Sequence, residues 1–559
     1  MNTADTDARL QQYLEIYSQP KASMAALLCD QHDPDARAYR IIRTDYSSQD
    51  LTYGELRLES ERFAAVLQGL GIRAGDRVAT LMGKSRDYLV TLMGIWRLGA
   101  VHVPLFTAFA PPAIVFRLRG SNAKLIVCDQ AQQPKLIADA DADADADTDA
   151  AADSFQKINC RVITTGEPAP GMLQFHALMA AAKPGFVAAA IGGDGPIIHV
   201  YTSGTTGNPK GVVVPLRALA AFHAYADFAL DLRPDHDIYW CAADPGWAYG
   251  LYFGIINSLQ TGVSSVLFEG GFSPAAAFTI LAQEQVTNFA AAPTIYRSLR
   301  SSGIAPPPNL VLRCASSAGE PLTPEVNEWA ASALGVEVSD HYGQTEAGML
   351  INNHHHSALK TPLKSGSMGK PMPGWRATVL DAEHDEEVGA GTLGRVAMVM
   401  ADSPLAWFTG YDGNAAKTAE KFAGEGRWYL TGDMGLRDDE GYYHFSARDD
   451  DVIIMAGYRI GPFEVESVML THEAVSEAAI IAVPDAVRGE VMEAFVVLAN
   501  GYEASAALEK SIQEWVKRRY AAHAYPRAVH FVDQLPKTPS GKVQRFVLKQ
   551  QRLQALAAS

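Results

Sequence analysis

The stretch Tyr201-Thr-Ser-Gly-Thr-Thr-Gly-Asn-Pro-Lys-Gly211 contains three glycines, four serine or threonine hydroxyls and one lysine. Glycines allow successive backbone N–H groups to point into one concavity, and such a concavity binds anions. The apolar runs Pro196–Val200 and Val212–Val214 on either side predict two strands. A flexible hairpin is the simple alternative, but the length and order of the string favour a polyphosphate site. It is not a Walker A loop, because no Gly-Lys-Ser/Thr follows the first glycine at the required spacing.

The length and the charge of the chain restrict what it can be. With 559 residues, 48% of them apolar, two or more domains are expected. The net charge of −16, without a basic face or an arginine-rich run, argues against a nucleic-acid partner. Residues 138–153 hold seven aspartates in an Asp/Ala repeat. Because this repeat lacks the glycine turn and bidentate glutamate of a calcium loop, it predicts a solvated surface loop.

Cysteine spacing and hydropathy predict a cytoplasmic protein. The five cysteines are scattered without a CxxC pair, which favours buried thiols in a reducing compartment over disulfides or zinc. The acidic, polar N-terminus does not resemble a signal peptide. Residues 246–268 are apolar but interrupted by Asn257, Gln260 and glycines, which favours a buried core segment over a membrane span.

The first part of the chain alternates helix and strand patterns. Thr52–Glu55 reads as a capping box that starts a helix running to Leu70. Arg77–Met82 and Ala100–Leu105 predict strands, and Asp87–Leu98 predicts the helix between them. Because the alternation continues to about residue 400, we expect a large α/β domain of layered sheets covered by helices.

A smaller unit is predicted after the polar segment Ser446–Asp451. Glu477–Val483 and Ala494–Leu498 read as strands, and Ala506–Arg519 reads as a helix. These patterns predict an N-terminal domain over residues 1–447 and a small, mobile α+β domain over residues 448–559.

The glycine-rich loop resembles the signature loop of the adenylate-forming superfamily. Four further strings match that superfamily in the same order: Ser317–Pro321, Asp340–Glu346, Thr431–Asp433 and Leu535–Lys542. By this resemblance, the first of them contacts adenine, the aspartate of the third grips the ribose hydroxyls and Arg448 also meets the ribose. The implied ATP- and AMP-binding residues are Thr202, Ser203, Gly204, Thr205, Thr206, Gly207, Lys210, Gly319, Glu320, Pro321, Asp340, His341, Tyr342, Gln344, Thr345, Asp433, Arg448 and Arg459.

The same resemblance implies the catalytic residues. Lys542 corresponds to the adenylation lysine, Glu346 supports Mg²⁺ and Thr345 meets the α-phosphate. A single glutamate is sufficient for Mg²⁺, because this ion takes much of its coordination from phosphate oxygens and water. A carboxylate substrate is ionised at neutral pH, so its attack on ATP requires alignment and charge neutralisation but no general base.

The resemblance also implies a hinge and a thiol tunnel. Asp450 falls at the hinge position, and Ile454–Glu464 matches the stretch that lines the tunnel for CoA after domain rotation. The amino-acid sequence of this stretch is most similar to that of medium-chain acyl-CoA synthetases. The implied CoA-binding residues are Gly457, Tyr458, Lys517 and Arg518.

Asp244–Trp247 resembles a family segment whose tryptophan lines the acyl passage, and on this resemblance the acyl pocket is assigned to Trp247, Tyr249 and Gly343. Acetate-specific relatives carry a tryptophan at the position of Gly343, so we expect an open pocket and a short-to-medium-chain acid. Trp247 and Tyr249 could narrow that pocket again.

The sequence therefore predicts an AMP-forming acyl-CoA synthetase with a small-molecule carboxylic acid, ATP, Mg²⁺ and CoA as substrates and cofactors. An acetate- or aryl-acid-specific CoA ligase, transfer of the acyl group to a carrier protein, and an inactive ATP-binding regulator are the alternatives. A lysine acetyltransferase acting on Lys542 is a further possible partner, since acetylation removes the positive charge. The oligomeric state is left open.

Overall fold

The computed structural model describes residues 3–137, 160–202, 209–448, 451–455, 458–485, 489–520, 524–538 and 542–558. Their strands form three sheets. The Asp/Ala repeat at 138–153 lies outside the described residues.

The strands up to residue 448 build two large sheets. In chain order they are β1 (Arg37–Ile42), β2 (Ser48–Thr52), β3 (Arg77–Leu81), β4 (Val101–Pro104), β5 (Leu125–Cys128), β6 (Arg161–Thr164), β7 (Leu173–Gln174), β8 (Pro196–Thr202), β9 (Lys210–Pro215), β10 (Ile238–Cys241), β11 (Ser264–Phe268), β12 (Asn288–Ala291), β13 (Cys314–Ala318), β14 (Val338–Gln344), β15 (Gly348–Asn352), β16 (Ser367–Pro371), β17 (Ala377–Leu380), β18 (Gly394–Val399), β19 (Phe422–Ala423), β20 (Trp428–Arg437) and β21 (Tyr443–Arg448).

The helices of this part cover the two sheets. They are α1 (Thr3–Tyr17), α2 (Tyr53–Gly69), α3 (Arg86–Leu98), α4 (Pro111–Ser121), α5 (Pro134–Ile137), α6 (Phe175–Ala181), α7 (Leu219–Ala224), α8 (Asn257–Thr261), α9 (Pro274–Gln283), α10 (Pro293–Ser301), α11 (Pro324–Ala333) and α12 (Ala415–Ala419), with π-helical turns at Ala26–Asp30, Tyr225–Ala229 and Gly250–Ile256 and 3₁₀ turns at Gln130–Gln132, Leu216–Ala218 and Met400–Asp402.

One sheet has seven strands in the order β7-β6-β5-β3-β4-β8-β9. The pairs from β3 to β8 are parallel, whereas β8 and β9 form an antiparallel hairpin. The predicted capping box is present, because the Thr52 hydroxyl accepts from the Glu55 N–H and the Glu55 carboxylate accepts from the Thr52 N–H. The hairpin of β8 and β9 pairs Thr202 with Lys210, which lie on either side of residues 203–208, at the carboxyl end of β8.

The second sheet runs β17-β18-β20-β21-β16-β15-β14-β13-β12-β10-β11-β1-β2, with β19 paired to β20. The pairs among β10, β11, β12, β13 and β14 are parallel. Ligands of such sheets bind outside the carboxyl ends of the strands. The predicted adenine loop at 319–321 follows β13 directly, and the Asp340–Glu346 string lies along the end of β14.

A third sheet lies in the C-terminal part, together with its helices. The elements are β22 (Ile453–Met455), β23 (Tyr458–Ile460), α13 (Pro462–Met469), β24 (Val475–Asp485), β25 (Gly489–Leu498), α14 (Ala506–Arg519), β26 (Ala528–Phe531) and α15 (Arg545–Ala558). Buried residues between Ile453 and Leu548 form a hydrophobic core of their own, separate from the core of the large part. The predicted fold class, a large layered α/β domain followed by a small α+β domain, is confirmed.

Contacts on both sides of the predicted boundary connect the two domains. The Ser446 hydroxyl donates to the Glu464 carboxylate at 2.8 Å, and the rings of Phe445 and Phe463 lie 6.0 Å apart. A side chain on Gly461 would collide with the Ser446 carbonyl, so the backbone segments around these two residues approach closely. Asp450 itself is outside the described residues, and the hinge remains a prediction.

The N-terminal helix α1 is fastened to the helical stretch that follows the glycine-rich loop. The Tyr17 hydroxyl lies 2.8 Å from His223 Nδ1, and the Tyr13 ring stacks on the His223 ring at 4.1 Å. Tyr13 and Arg9 both donate to the Asp227 carboxylate at 2.8 Å. Helix α1 therefore holds the segment His223–Asp227 through these contacts.

Candidate active site

The ends of the glycine-rich loop are fixed beside each other. Thr202 ends β8, Lys210 begins β9, and these two residues are cross-strand partners. The Lys210 ammonium lies 4.7 Å from the centre of the Tyr411 ring, a cation–π distance. The loop residues Ser203, Gly204, Thr205, Thr206 and Gly207 lie outside the described residues, so their predicted phosphate contacts remain a prediction.

Glu346 is held by a tyrosine that sequence analysis missed. The Tyr411 hydroxyl donates to Glu346 Oε1 at 2.7 Å, and Glu346 is only 8% exposed. The backbone of Tyr411 bridges to Val212 of β9, and the Asp412 N–H donates to the Gly211 carbonyl. Tyr411 thus connects the strand after the loop with the predicted metal-binding carboxylate. Nothing in the local sequence around Tyr411 indicated this role, because the contact depends on tertiary packing.

Asp433 contacts two side chains of the Asp340–Glu346 string and the predicted ribose arginine. Tyr342 donates its hydroxyl proton to Asp433 Oδ2, and Gln344 Nε2 donates to the same oxygen at 2.9 Å. Arg448, the cross-strand partner of Asp433, places Nε 3.6 Å from Oδ1. The predicted ribose residues Asp433 and Arg448 therefore lie in one cluster with Tyr342 and Gln344.

Lys421, which the sequence analysis also missed, contacts the strand that carries Asp433. Lys421 Nζ donates to the Thr431 carbonyl at 2.8 Å. Desolvation by burial lowers the pKa of Lys421, while Glu346 and Asp433 oppose that change. The lysine charge therefore lies close to both carboxylates of the site.

The predicted adenine loop lies at the end of β13. Gly319 has a φ of +108°, in the left-handed region that favours glycine. Glu320 forms an ion pair with Arg297 at 2.6 Å. Asp340 pairs with Ser317 in register and accepts from the Leu322 N–H at 3.2 Å, and burial raises its pKa to about 8. Asp340 thereby fixes the turn that follows Pro321.

Lys542 reaches this loop from the small domain. Its ammonium lies 5.6 Å from the centre of the Trp247 ring, and its Cε lies 4.0 Å from the position that a Cβ on Gly319 would occupy. Desolvation lowers the pKa of Lys542, which Glu320 opposes and Arg448 reinforces. Because Lys542 is exposed, solvent in the cleft weakens this effect. Trp247, Gly319 and Lys542 are thus brought together from distant parts of the chain.

The structure corrects the expectation about Gly343. A Cβ on this residue would lie 2.2 Å from the Gly348 carbonyl oxygen and 2.7 Å from Met349 Sδ. Strand β15 folds back on β14 at this point, with an irregular register between Tyr342 and Gly343. The absence of a side chain at Gly343 therefore leaves no empty pocket there, because Gly348 and Met349 fill that space.

Tyr249 and His341 belong to one buried hydrogen-bond chain. The Tyr249 and Tyr225 hydroxyls lie 3.0 Å apart, and the Tyr225 hydroxyl lies 2.8 Å from His341 Nδ1. His341 Nε2 lies 3.0 Å from the Asn353 carbonyl oxygen, and the residue is 2% exposed. Both ring nitrogens of His341 are occupied within the protein, so its ring has no nitrogen free to contact a nucleotide.

Only some of the predicted CoA-binding residues lie within the described part of the chain. Gly457 is outside the described residues, and only the backbone of Tyr458 and Arg459 is described, in β23. Lys517 donates to Glu514 at 2.5 Å and lies over the Tyr525 ring, whereas Arg518 is exposed. A CoA phosphate would have to compete with Glu514 for Lys517.

The residues present fit a Mg²⁺ ion that is held mainly by nucleotide phosphates. Tyr411 occupies one oxygen of Glu346, which leaves the second oxygen for a cation. Within the described ranges, no group of three or more His, Cys, Asp or Glu is arranged to hold a metal by itself. In the same ranges, no helix is long and apolar enough to cross a membrane, and residues 250–268 are mostly buried.

Comparison with known proteins gives consistent matches along the chain. The model of the AMP-binding enzyme family matches residues 29–401, and that of the AMP-binding enzyme C-terminal domain matches residues 464–542. Acetyl-coenzyme A synthetase from Bacillus subtilis (strain 168) is 36% identical over 503 residues, which is 89% of this chain and 84% of that protein.

Solved structures extend this similarity to the fold. The acyl-CoA synthetase of Brucella canis is 41% identical, with a TM-score of 0.73 and 99% of each chain covered. A benzoate CoA ligase from Burkholderia xenovorans LB400 is 30% identical, with a TM-score of 0.81, and the match covers 94% of this chain and all of that one. With its large part and its C-terminal part both matched, the chain belongs to the AMP-binding enzyme family.

Proposed function

We propose that this protein joins a carboxylic acid to CoA in two steps, with ATP as the energy source. In the first step the acid attacks the α-phosphate of ATP, pyrophosphate leaves and an acyl-adenylate remains. In the second step the CoA thiol attacks the acyl carbon and AMP leaves. The protein is thus an AMP-forming acid–thiol ligase. The observation that carries this proposal is the position of Lys542, next to Trp247 and Gly319.

The clustered residues support assigned roles in the first step. Asp433 has the carboxylate that a ribose diol requires, and Tyr342 and Gln344 orient it. Lys542 supplies positive charge to the reacting phosphate from the small domain. Glu346, fixed by Tyr411, would hold Mg²⁺ through its second oxygen, and this ion would neutralise phosphate charge when bound. Thr345 lies next to Glu346 and is the candidate for the α-phosphate contact.

The second step requires a different position of the small domain. Lys542 occupies the cleft in the present arrangement, and CoA needs a path to the adenylate. We place the hinge at Asp450, with residues 1–447 and 448–559 as the two bodies. Rotation would break one hydrogen bond, from the buried Ser446 to the half-buried Glu464, and one ring contact, between the half-buried Phe445 and Phe463. A hydrogen bond to a charged group contributes about 1.5–3 kcal/mol. Such contacts permit an exchange between the two positions.

A lysine acetyltransferase is a proposed regulatory partner. Lys542 is exposed; the Thr538 N–H donates to the Lys542 carbonyl, and the Lys542 N–H donates to the Thr538 hydroxyl. Acetylation would remove the charge that the first step uses. Chemical acetylation, followed by intact mass and by pyrophosphate exchange, tests this: loss of exchange should track modification of Lys542 and be absent from a Lys542→Arg variant treated in the same way. Equal loss in both would contradict the proposal.

An assay of CoA-dependent AMP release across acids of increasing chain length tests the main proposal. A panel of straight-chain, branched and aryl acids covers the candidate classes, acetate included. We expect release of AMP that requires both an acid and CoA. Pyrophosphate exchange measured without CoA isolates the first step for each productive acid. No exchange with any acid would refute the proposal.

A further inference from the structure

The chain of hydrogen bonds from Tyr249 to Asn353 has a defined direction. At its inner end is the Asn353 carbonyl oxygen, which can only accept, so His341 Nε2 must carry the proton and donate. Burial lowers the pKa of His341 well below its usual value, so the ring is neutral. A neutral imidazole with a protonated Nε2 has an acceptor at Nδ1.

The position of the proton on His341 determines which atom donates in each hydrogen bond of the two tyrosines. Because Nδ1 accepts, the Tyr225 hydroxyl at 2.8 Å must donate to it. The Tyr225 oxygen then accepts from the Tyr249 hydroxyl, 3.0 Å away. Burial raises the pKa of both phenols well above the usual value, so neither loses its proton. The Tyr249 oxygen has consequently used its proton inside the protein and retains only its acceptor capacity.

Tyr249 is one of the residues to which the acyl pocket is assigned, and it lies near Gly343, although Gly343 itself opens no space. The ring of Phe253 packs against Tyr249 at 5.1 Å and against Tyr225 at 4.5 Å. The same ring lies 4.0 Å from the position of a Cβ on Gly348, which borders Gly343. Tyr225 is fully buried, whereas Tyr249 keeps part of its surface accessible. Tyr249 is therefore the member of the chain that a bound acid can reach.

We propose that the preferred acid carries a hydrogen-bond donor, a hydroxyl or an amino group, at the point where it meets Tyr249. This inference rests on the proposed function, since it assigns the substrate class of the same site. An unsubstituted acid forms no hydrogen bond to the Tyr249 oxygen. An acid with an acceptor at that point places two oxygens against each other without a proton between them, and is disfavoured further.

Matched acids test the proposal. The panel comprises benzoate with its hydroxy-, amino- and methoxy-substituted forms at each ring position, and pentanoate and hexanoate with their hydroxy and keto forms. The readout is kcat/KM for acid-dependent pyrophosphate exchange. For the wild type we expect at least one hydroxy or amino acid to exceed both its parent and its methoxy or keto form by about tenfold.

Two variants establish whether Tyr249 causes the preference. Tyr249→Phe should bring the donor-bearing acid and its parent to within about twofold of each other. Tyr225→Phe removes the acceptor for the Tyr249 proton, so Tyr249 becomes a donor and the preference should shift toward the methoxy or keto form. This reversal distinguishes a polarity effect from a simple change in pocket size. Both variants are checked for unchanged melting behaviour against the wild type.

The outcomes separate the two proposals. If no acid supports exchange, the proposed function fails. If acids react but the donor-bearing forms show no advantage, or Tyr249→Phe retains that advantage in full, the inference about Tyr249 is wrong while the function stands. If Tyr225→Phe does not fold, the Tyr249→Phe comparison decides alone.

Discussion

Lys542 and Trp247 lie in different domains, yet the lysine ammonium is 5.6 Å from the centre of the tryptophan ring. The position beside Gly319 puts the charge of the small domain next to the end of β13, where the adenine loop begins. A lysine that arrives on a mobile domain can assist one step and leave for the next. If the small domain rotates as proposed, mutation of Lys542 should separate the two half-reactions.

Lys542→Ala should abolish adenylation and spare thioester formation. Removal of a positioned charge at a phosphoryl transition state costs about a hundredfold or more in rate. Pyrophosphate exchange measures the first step, and thioester formation from supplied acyl-adenylate measures the second. Lys537→Ala is a matched control on the same segment, because Lys537 pairs with Glu477 away from the cleft. Equal loss of both steps in the Lys542 variant would rule out the domain-rotation scheme.

Tyr411→Phe should weaken the response to Mg²⁺. The variant loses the hydrogen bond that fixes Glu346 and keeps the ring beneath Lys210. Hydrogen bonds to charged groups contribute about 1.5–3 kcal/mol, so the Mg²⁺ concentration for half-maximal rate should rise about tenfold. Binding of Mn²⁺ in the presence of ATP, followed by electron paramagnetic resonance, gives a readout independent of turnover.

A suitable control for that variant is Tyr442→Phe. Tyr442 donates its hydroxyl to the Pro362 carbonyl, far from the Glu346 contact. An unchanged Mg²⁺ response in Tyr411→Phe, or an equal change in Tyr442→Phe, would contradict the positioning role of Tyr411.

Gly343→Ala should destabilise the protein. The added methyl group would lie 2.2 Å from the Gly348 carbonyl oxygen, so β14 and β15 must separate. Overpacking of this kind costs about 1–3 kcal/mol in the free energy of unfolding. Denaturant titration measures this cost, with Gly271→Ala as control because no atom lies within 4 Å of the added Cβ there. Equal stability of both variants would show that Gly343 has free space after all.

His223 should make stability depend on pH. Burial lowers its pKa to about 4, whereas an unfolded histidine has a pKa of about 6.5. Between these values the unfolded chain binds more protons than the folded one, so stability falls as pH falls. One such residue contributes about 1.4 kcal/mol per pH unit.

Other groups titrate in the same window, and Asp340, with its raised pKa, acts in the opposite direction. The measurement is therefore the difference between wild type and His223→Gln, obtained from denaturant titrations between pH 7 and pH 4. The wild type should lose more stability than the variant over this range. Parallel curves would mean that His223 does not remain neutral in the folded protein.

Helices and strands were predicted well where residues close together in the sequence determine them. The capping box at Thr52 starts α2, and Ala506–Arg519 is the helix α14 with the predicted bounds. The strands around the glycine-rich loop are β8 and β9, each slightly longer than the apolar run that indicated it. In these cases propensity, capping and alternation all favoured the same structure.

The site was predicted in part, because linear strings identify residues but not their neighbours. The resemblance grouped Asp433, Tyr342 and Gln344, and the structure places them within hydrogen-bond distance. Tyr411 and Tyr225 were missed because their roles come from contacts with residues far away in the chain. Gly343 was interpreted as open space because a sequence does not show that Met349 folds back onto it.

The attachment of α1 has a consequence for the acyl pocket that is assigned around Tyr249. Its three polar side chains grip His223 and Asp227, the residues on either side of Tyr225 by two positions. A protein shortened by its first seventeen residues would lose these anchors while every motif residue stayed intact. We expect such a protein to bind ATP still but to rank acids differently, because Tyr225 is the hydrogen-bond partner of Tyr249, to which the acyl pocket is assigned.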